Sequence, residues 1–462
     1  MPYFTIQNFS AGLDLRRNSL TAPAGTLRSL KNLHVTPGGE IEKRFAFTLI
    51  KTVDPSTKGL VECNQMIYVF APNGPGQVDP TGPFDVGEMK LATATIEKVV
   101  DYDLFDNKVF SIVYIDTAGT VGRYYDGIPV PDAQGLYCRT YKTKVHAVDQ
   151  GVLYFSAVGV ADDWTGTGSG FIDLSLEDSD MSNAQALEVY YDKLAIFSET
   201  ACQLWVIDPD PLQTQYTQTL HQAGTIAPLS ALQYGSGDVL YLAPDGIRSL
   251  RARNASLAAA VSDIGSPLDP IMQNLFRMNG KDWLHDVISV LQPVAGRFWI
   301  ILPDRVYVLS AFEGAKITAW SEYDPGFSIT AAATANQRLY LRDDANNIYV
   351  YGGDTVTVPS FDTSPVEVVF PFHSGDEQSS AIFKKFHGID CACEGEWDVY
   401  ASYDPSTEAE DYLGKFTGPT FLQGRFPMEG HGTHISLRLR SAVDGPLLLS
   451  NMIVHYDLAE SG

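Results

Sequence analysis

Positive charge is in short supply. Lys and Arg number 32 against 56 Asp and Glu, a formal net charge of −24. A protein that grips nucleic acid through its phosphates needs a basic footprint, and so does one that settles on anionic lipid; both classes are disfavoured. Cysteine is scarce as well. Cys63, Cys138, Cys202, Cys391 and Cys393 are odd in number and, but for the last two, far apart. No disulfide framework is expected, and folding in a reducing compartment suits the chain. No apolar run approaches the ~18 residues of a transmembrane helix. The opening MPYFTIQNFS has neither a basic n-region nor an apolar h-region, so no secretory signal is expected. Catalytic signatures are missing too: there is no Gly-x-Ser-x-Gly, no Walker loop and no His-Glu-x-x-His.

What the chain has is aromatic residues and turns. Its 23 Tyr, 23 Phe, 39 Gly and 26 Pro, with 45% hydrophobic residues, favour a β-rich fold with filled cores. The clearest pattern is Tyr190–Asp208, YYDKLAIFSETACQLWVID, where two apolar runs flank Ser198–Thr200 as in a β-hairpin. Similar stretches surround Ile67, Ile112, Leu153, Leu240, Ile300 and Leu339. Most steps between them are roughly 40–45 residues, with one of about 60, which is the period of four-stranded propeller blades. The expected fold is therefore all-β: a propeller-like repeat of about six or seven blades over 49–360. Residues 361–462 lose the short-hairpin rhythm and read as longer strands of a small β-sandwich. The long step holds the one helical insertion, 254–281. Its predicted helix opens at Ser266-Pro267-Leu268-Asp269, presents Ile271, Leu275 and Met278 on one face and stops at Gly280. That face, with Phe276 beside it, packs on its own blades or on a neighbouring subunit.

Residues 1–48 read as an arm with a small hairpin, Leu33–Val35 and Glu40–Arg44 turning at Pro37-Gly38-Gly39. Basic residues gather here: Arg16, Arg17, Arg28, Lys31, Lys43 and Arg44. They suit a strand pairing with its own domain, an arm docking on an acidic neighbour, or contact with nucleic acid. The turn-rich loop Pro72–Pro83, with Pro75 and Pro80, is a candidate partner contact at a blade rim. The acidic stretch around Asp162, Asp163, Asp173, Glu177, Asp178 and Asp180 lacks the ordered spacing of a calcium loop and reads first as a solvated loop.

The ordered string Gly12-Leu13-Asp14, Ala24-Gly25, Leu27, Leu30, Asn32, Val35, Gly38-Gly39, Ile41 and Lys43-Arg44 resembles the N-terminus of tail nozzle (tail hub) proteins of short-tailed bacteriophages. Overall length and the β repeat that follows are similar to the shorter members. The resemblance implies a structural virion protein in the phage tail, made in the host cytoplasm. It implies a homohexameric ring below portal and adaptor, contacts to tail fibres or spikes, and a channel through which phage DNA passes without specific binding. An acidic wall repels phosphate, which suits such a channel. A fibre or baseplate component, trimeric rather than hexameric, is a further possibility.

The competing reading is a propeller glycosidase or lectin for host surface polysaccharide. It needs paired carboxylates on one pocket. Asp245, Asp304, Asp343 and Asp344 are the carboxylates to weigh, and turn positions account for all four. Cys391-x-Cys393, with His387, His431 and His434, is the one metal-like grouping. One intervening residue is tight for zinc, and strand alternation puts both thiols on one buried face. No catalytic, cofactor-binding or metal residue is therefore assigned, no cofactor is expected, and no membrane insertion is expected.

Overall fold

The computed structural model describes residues 2–458 apart from 24, 256–262, 355–358, 376–381 and 408. Ala24 of the N-terminal string and part of the helical insertion thus lie outside the described residues. The chain divides into two compact units: a propeller unit, Thr48–Asp304 with Phe327–Asp354, and a sandwich unit, Met1–Phe47 with Arg305–Gly326 and Thr355–Gly462.

Seven sheets make the propeller unit, one for each apolar anchor in the sequence. Their first strands are Lys58–Cys63, Lys98–Phe105, Tyr137–Tyr141, Ala186–Tyr190, Leu232–Tyr234, Ile288–Gln292 and Ile329–Ala335. Each packs against the next, and the seventh packs against the first, so the ring closes. Phe47–Thr52 supplies the outermost strand of blade 7, joining the start of the unit to its end. Blades 1 to 4 and 7 have four strands. Several first hairpins turn on two residues both held at positive φ: Asn64-Gln65, Asp106-Asn107, Lys142-Thr143 and Asn336-Gln337. That backbone matches the right-handed twist of the flanking strands.

The Tyr190–Asp208 hairpin shows why its apolar runs are continuous. Leu194 through Phe197 are fully buried. Strand alternation sends Leu194 and Ile196 into a core that also holds Val145 and Leu153 of blade 3. Ala195 and Phe197 point the other way, into a core with Val239 and Tyr241 of blade 5. A strand covered on both faces has no solvent side to mark with polar residues.

The helical insertion packs on the Gly246–Ser249 strand of blade 5. Its helix, Asp269–Asn279, ends at Gly280 as expected, but its buried face differs from the predicted one. Leu268, Met272 and Leu275 are buried, whereas Met278 is 73% exposed. The helix follows directly on the 3-10 turn Ser266–Leu268, which phases the apolar stripe from Leu268. The Pro72–Pro83 loop contains a strand of its own, Gly76–Val78, paired antiparallel with Gly87–Lys90 on the outer part of blade 1.

The sandwich unit corrects the expected boundaries. Residues 1–48 form no separate arm, and the sandwich is not confined to 361–462. Leu33–Val35 and Ile41–Lys43 do pair as a hairpin around Gly39. That hairpin is built into a sheet through Leu448–Leu458, which also carries Tyr3–Gln7. In the facing sheet Ser29–Lys31 pairs with Val366–Val369 and, at Lys31, with Glu322. Arg297–Ile301 pairs with Ile288–Gln292 in blade 6, while Val306–Phe312 pairs along its length with Ile317–Tyr323 in the sandwich unit. One core fills the space between the two sheets, with Leu27, Leu33, Ile41, Ala319, Val368, Trp397, Leu439 and Val454 among its members.

Candidate functional site

The ring of first strands leaves an axial funnel in the propeller unit. An inner cavity of about 300 Å³ is lined by residues of the first strands of all seven blades, including Gly59, Asp101, Arg139, Glu188, Leu232, Ser289 and Ala332. A mouth of about 510 Å³ adjoins it, sharing Gly59, Val99, Leu229, Ile288 and Thr330.

Three charged side chains meet in the inner part. Arg139 Nη1 donates to Asp101 Oδ2 at 3.2 Å, and Arg139 Nε donates to Glu188 Oε2 at 3.1 Å. They sit at the centres of the first strands of blades 2, 3 and 4, so each blade contributes one member. Asp101 also accepts from the Cys138 and Tyr102 backbone N–H groups. Burial nevertheless pushes its pKa up to about 6, because Arg139 and the two N–H donors only partly offset the lost hydration. Asp103, two residues along the same strand, accepts from the backbone of Thr140 and Leu104.

At the mouth, Lys98 Nζ lies 2.6 Å from Asp286 Oδ1. Hydrogen bonding from His285, with help from Lys98, holds the Asp286 carboxyl well below the usual carboxylate range. Arg342 is buried and donates to the Gly59 and Thr57 carbonyls and to Asn346 Oδ1, tying blade 7 to blade 1. Burial pulls its pKa down to about 10.

None of Asp101, Asp103, Arg139 or Glu188 is singled out by a motif. Their signal in the sequence is positional: charged residues inside strands whose neighbours are apolar, at matching places in successive repeats. Of the turn carboxylates, Asp343 and Asp344 line the mouth. Asp343 keeps its turn role, accepting from the Asn347 backbone at 2.7 Å and from Tyr349 Oη at 3.2 Å. Asp245 pairs with Arg248 and Arg253. Asp304 is exposed.

The basic N-terminal residues do not form one docking face. Lys43 and Arg44 are fully buried. Arg44 hydrogen-bonds Asn32 Oδ1, the Phe45 and Asp324 carbonyls, Asp362 Oδ2 and Ser364 Oγ, and its guanidinium lies over the Phe47 ring. Lys43 Nζ donates to the Asp362 and Val443 carbonyls. These two are therefore internal ties and present no charge to a partner. Arg16 pairs with Asp14 at 2.8 Å, Lys31 with Asp324 at 3.0 Å, and Arg28 donates to the Asp14 and Arg17 carbonyls. The Arg17 side chain is exposed. Of the apolar candidates, Pro75 is exposed, Pro80 and Phe276 are half-buried, and Leu275 is buried. Cys391 and Cys393 are free, buried thiols on one face of the Lys384–Glu394 strand, within the sandwich core. Among the described residues, one group has ligand atoms close enough for a metal, Asp178, Asp180 and His221, within 4.8 Å of one another at the surface.

No known family model matches this chain, and no curated protein matches it. Solved propellers are similar in fold. The WD40 domain of Neurospora crassa Pan2 is 10% identical over 70% of this chain and 98% of that one, with a TM-score of 0.41. BamB from Moraxella catarrhalis is 10% identical over 66% and 99%, with a TM-score of 0.36. Virginiamycin B lyase from Staphylococcus aureus is 10% identical over 58% and 90%, with a TM-score of 0.33. The propeller assignment rests on the closed ring of strands described above.

Proposed function

We propose that the chain is a structural, non-enzymatic subunit of a short-tailed phage virion: a tail nozzle that assembles as a ring, most simply a homohexamer, and lets DNA pass without gripping it. The observation that carries this reading is the role of the N-terminal string that resembles the nozzle family. Gly12 sits at a φ of +58°, and a Cβ there would meet the Ala319 Cβ at 2.7 Å. Asn32, at a φ of 55°, donates to the Pro365 carbonyl and accepts from Arg44 and from the Asp324 backbone. Leu13, Leu27, Leu30, Val35 and Ile41 are buried. Gly12, Asn32 and these apolar positions of the string are thus set by the packing of the sandwich unit, which supports reading its likeness to the family as a likeness of fold-determining positions.

The axial cavity of one propeller, about 300 Å³, has no room for a duplex. On this reading DNA passes between subunits, along walls that a net charge of −24 keeps from binding phosphate. A ring requires heterologous contacts that close on rotation. Adaptor and fibre or spike proteins are the further partners, and the virion tail the final location. Light scattering and negative-stain microscopy of the purified chain test this: closed rings are expected, and a monomer at high concentration with no rings would sink the reading.

One observation favours the propeller enzyme or lectin as the second reading: Asp101, Asp103 and Glu188 line one cavity. Their oxygens are already engaged by Arg139 and backbone N–H groups. Degradation of host surface polysaccharide that is lost in Asp103→Asn would favour that alternative.

A further inference from the structure

We propose that Asp178, Asp180 and His221 form a surface site on the propeller unit for a divalent transition ion of the zinc class. An imidazole and two carboxylates, and the spacing between them, point to this ion. The inference stands apart from the nozzle reading.

The three side chains come from two elements that rest on one strand. Asp178 and Asp180 lie in the crossover from blade 3 to blade 4. Asp178 Oδ1 accepts from the Asp180 backbone N–H at 3.0 Å and opens the 3-10 turn Ser179–Met181. Met181 is fully buried, and the turn packs on the strand Ala201–Val206. His221 ends the outermost strand of blade 4, Gln215–His221, and pairs with Ala201 of that same strand. The backbone is thus fixed on both sides of the site. The ligand groups stay accessible, with the His221 side chain 61% and that of Asp180 49% exposed.

The spacing suits a shared ion better than direct bonds. His221 Nε2 lies 3.5 Å from Asp178 Oδ2, and His221 Nδ1 lies 3.4 Å from Asp180 Oδ2. Both gaps exceed the roughly 2.7–3.2 Å of an N–H···O hydrogen bond. Among the described residues, no hydrogen bond reaches either ring nitrogen or the Asp180 carboxylate. Two ligand atoms about 2.0–2.1 Å from a tetrahedral centre lie about 3.3 Å apart, close to the gaps seen here. One nitrogen and one oxygen of each carboxylate fall within 4.8 Å of one another, and rotation of the exposed Asp180 side chain shortens the longest edge.

The donor set selects the ion. Calcium asks for about six to eight oxygens, and magnesium keeps to oxygen ligands and water. Copper(I) prefers sulfur. One imidazole with two carboxylates suits zinc and its neighbours, and three protein ligands leave a fourth position for water. A bound ion also cancels both carboxylate charges, and it clips the crossover to the outer edge of blade 4.

The test is calorimetric titration of the whole, chelator-treated chain with Zn²⁺, paired with Co²⁺ as a spectroscopic probe and with Ca²⁺ and Mg²⁺ as controls. Zn²⁺ is expected to bind one per chain at this site and to raise Tm saturably by a few degrees, as a ligand confined to the native state must. Co²⁺ should develop the visible absorption of a low-coordinate site, and Zn²⁺ should bleach it. Ca²⁺ and Mg²⁺ at the same concentration should do neither. His221→Ala and Asp180→Asn change exposed side chains and should leave the far-UV spectrum as it is. Each should weaken Zn²⁺ binding about a hundredfold and remove the cobalt absorption, since losing a ligand costs at least as much as losing a group that orients one. Asp162→Asn removes an exposed carboxylate of the same acidic stretch outside the ligand set and should leave binding within about twofold, the size of a screened surface charge. Binding in His221→Ala equal to that of the wild type, an equal response to Ca²⁺ or Mg²⁺, an Asp162→Asn loss as large as that of Asp180→Asn, or no binding of Zn²⁺ at all would each overturn the proposal.

Discussion

The two units bury their side chains in different ways. In the propeller unit, apolar residues go into separate cores between neighbouring blades, such as the one shared by Phe110, Val145, Leu153 and Leu194 and the one shared by Val69, Ala333 and Tyr340. Most partners lie within one or two repeats along the chain, and only the closure from blade 7 to blade 1 spans its length. In the sandwich unit a single core is drawn from three distant stretches. Its polar counterpart is the Asn32–Arg44 knot, in which side chains from the first stretch bond to Asp324 in the second and to Asp362, Ser364 and Pro365 in the third. Distributed burial should make damage local; a single core with a buried tie should make damage common to all three stretches.

The largest test of that contrast is Arg44→Ala. Removing a buried, fully engaged guanidinium leaves Asp362, Asn32 and two carbonyls without their donor, a loss of about 3–5 kcal/mol. Limited proteolysis should then cut within residues 2–47, 305–326 and 359–458 together, while the blades stay protected. A stability change below about 1 kcal/mol in denaturant titration would remove the knot from the account.

Leu204→Ala, in a fully buried position of blade 4, should cost about 3 kcal/mol. Hydrogen exchange should quicken in blades 4 and 5, which share its core, and remain slow in the sandwich unit. Exchange that quickens evenly over the chain would erase the contrast.

Acid probes the propeller unit through His146. Burial lowers its pKa from 6.5 to about 3 in the folded chain. Below pH 6.5 the unfolded chain takes up a proton that the folded one refuses, so stability present above 6.5 is lost as pH falls. At pH 5 the loss is about 2 kcal/mol. In His146→Asn the slope of stability between pH 6.5 and 5 should be smaller, and an unchanged slope would mean that the imidazole is not the group responsible.

Arg17→Ala supplies the smallest effect. Its side chain is exposed, so folding stability should move by less than about 0.5 kcal/mol. If this residue contributes to subunit contacts, its loss will show instead in the ring-to-monomer ratio measured by light scattering.

Why some features were legible in the sequence follows from the same contrast. Seven apolar anchors correspond to seven blades because each blade's core is filled by its own repeat and the adjacent ones. Two faces buried at once gave continuous apolar runs, which a period-two reading still placed as strands. The hairpin at Gly39 was visible because a turn is a local event. The helix Asp269–Asn279 was visible too, but its buried face was not. Leu268 begins the stripe, and a 3-10 turn outside the helix set the phase.

By itself the sequence determined the all-β class, the repeat, the number of anchors and the poverty in positive charge. These depend on alternation, turn residues and composition, which act over a few residues or not on position at all. Tertiary structure alone decided that residues 1–47, 305–326 and 355–462 share one core, that Lys43 and Arg44 are internal ties, and that Asp101, Arg139 and Glu188 meet on one axis. Each of these brings together residues from about forty to several hundred positions apart, and chain connectivity carries no local signal of such a meeting. A buried cation looks like an exposed one until its partners are in place, because burial belongs to the surroundings and not to the residue.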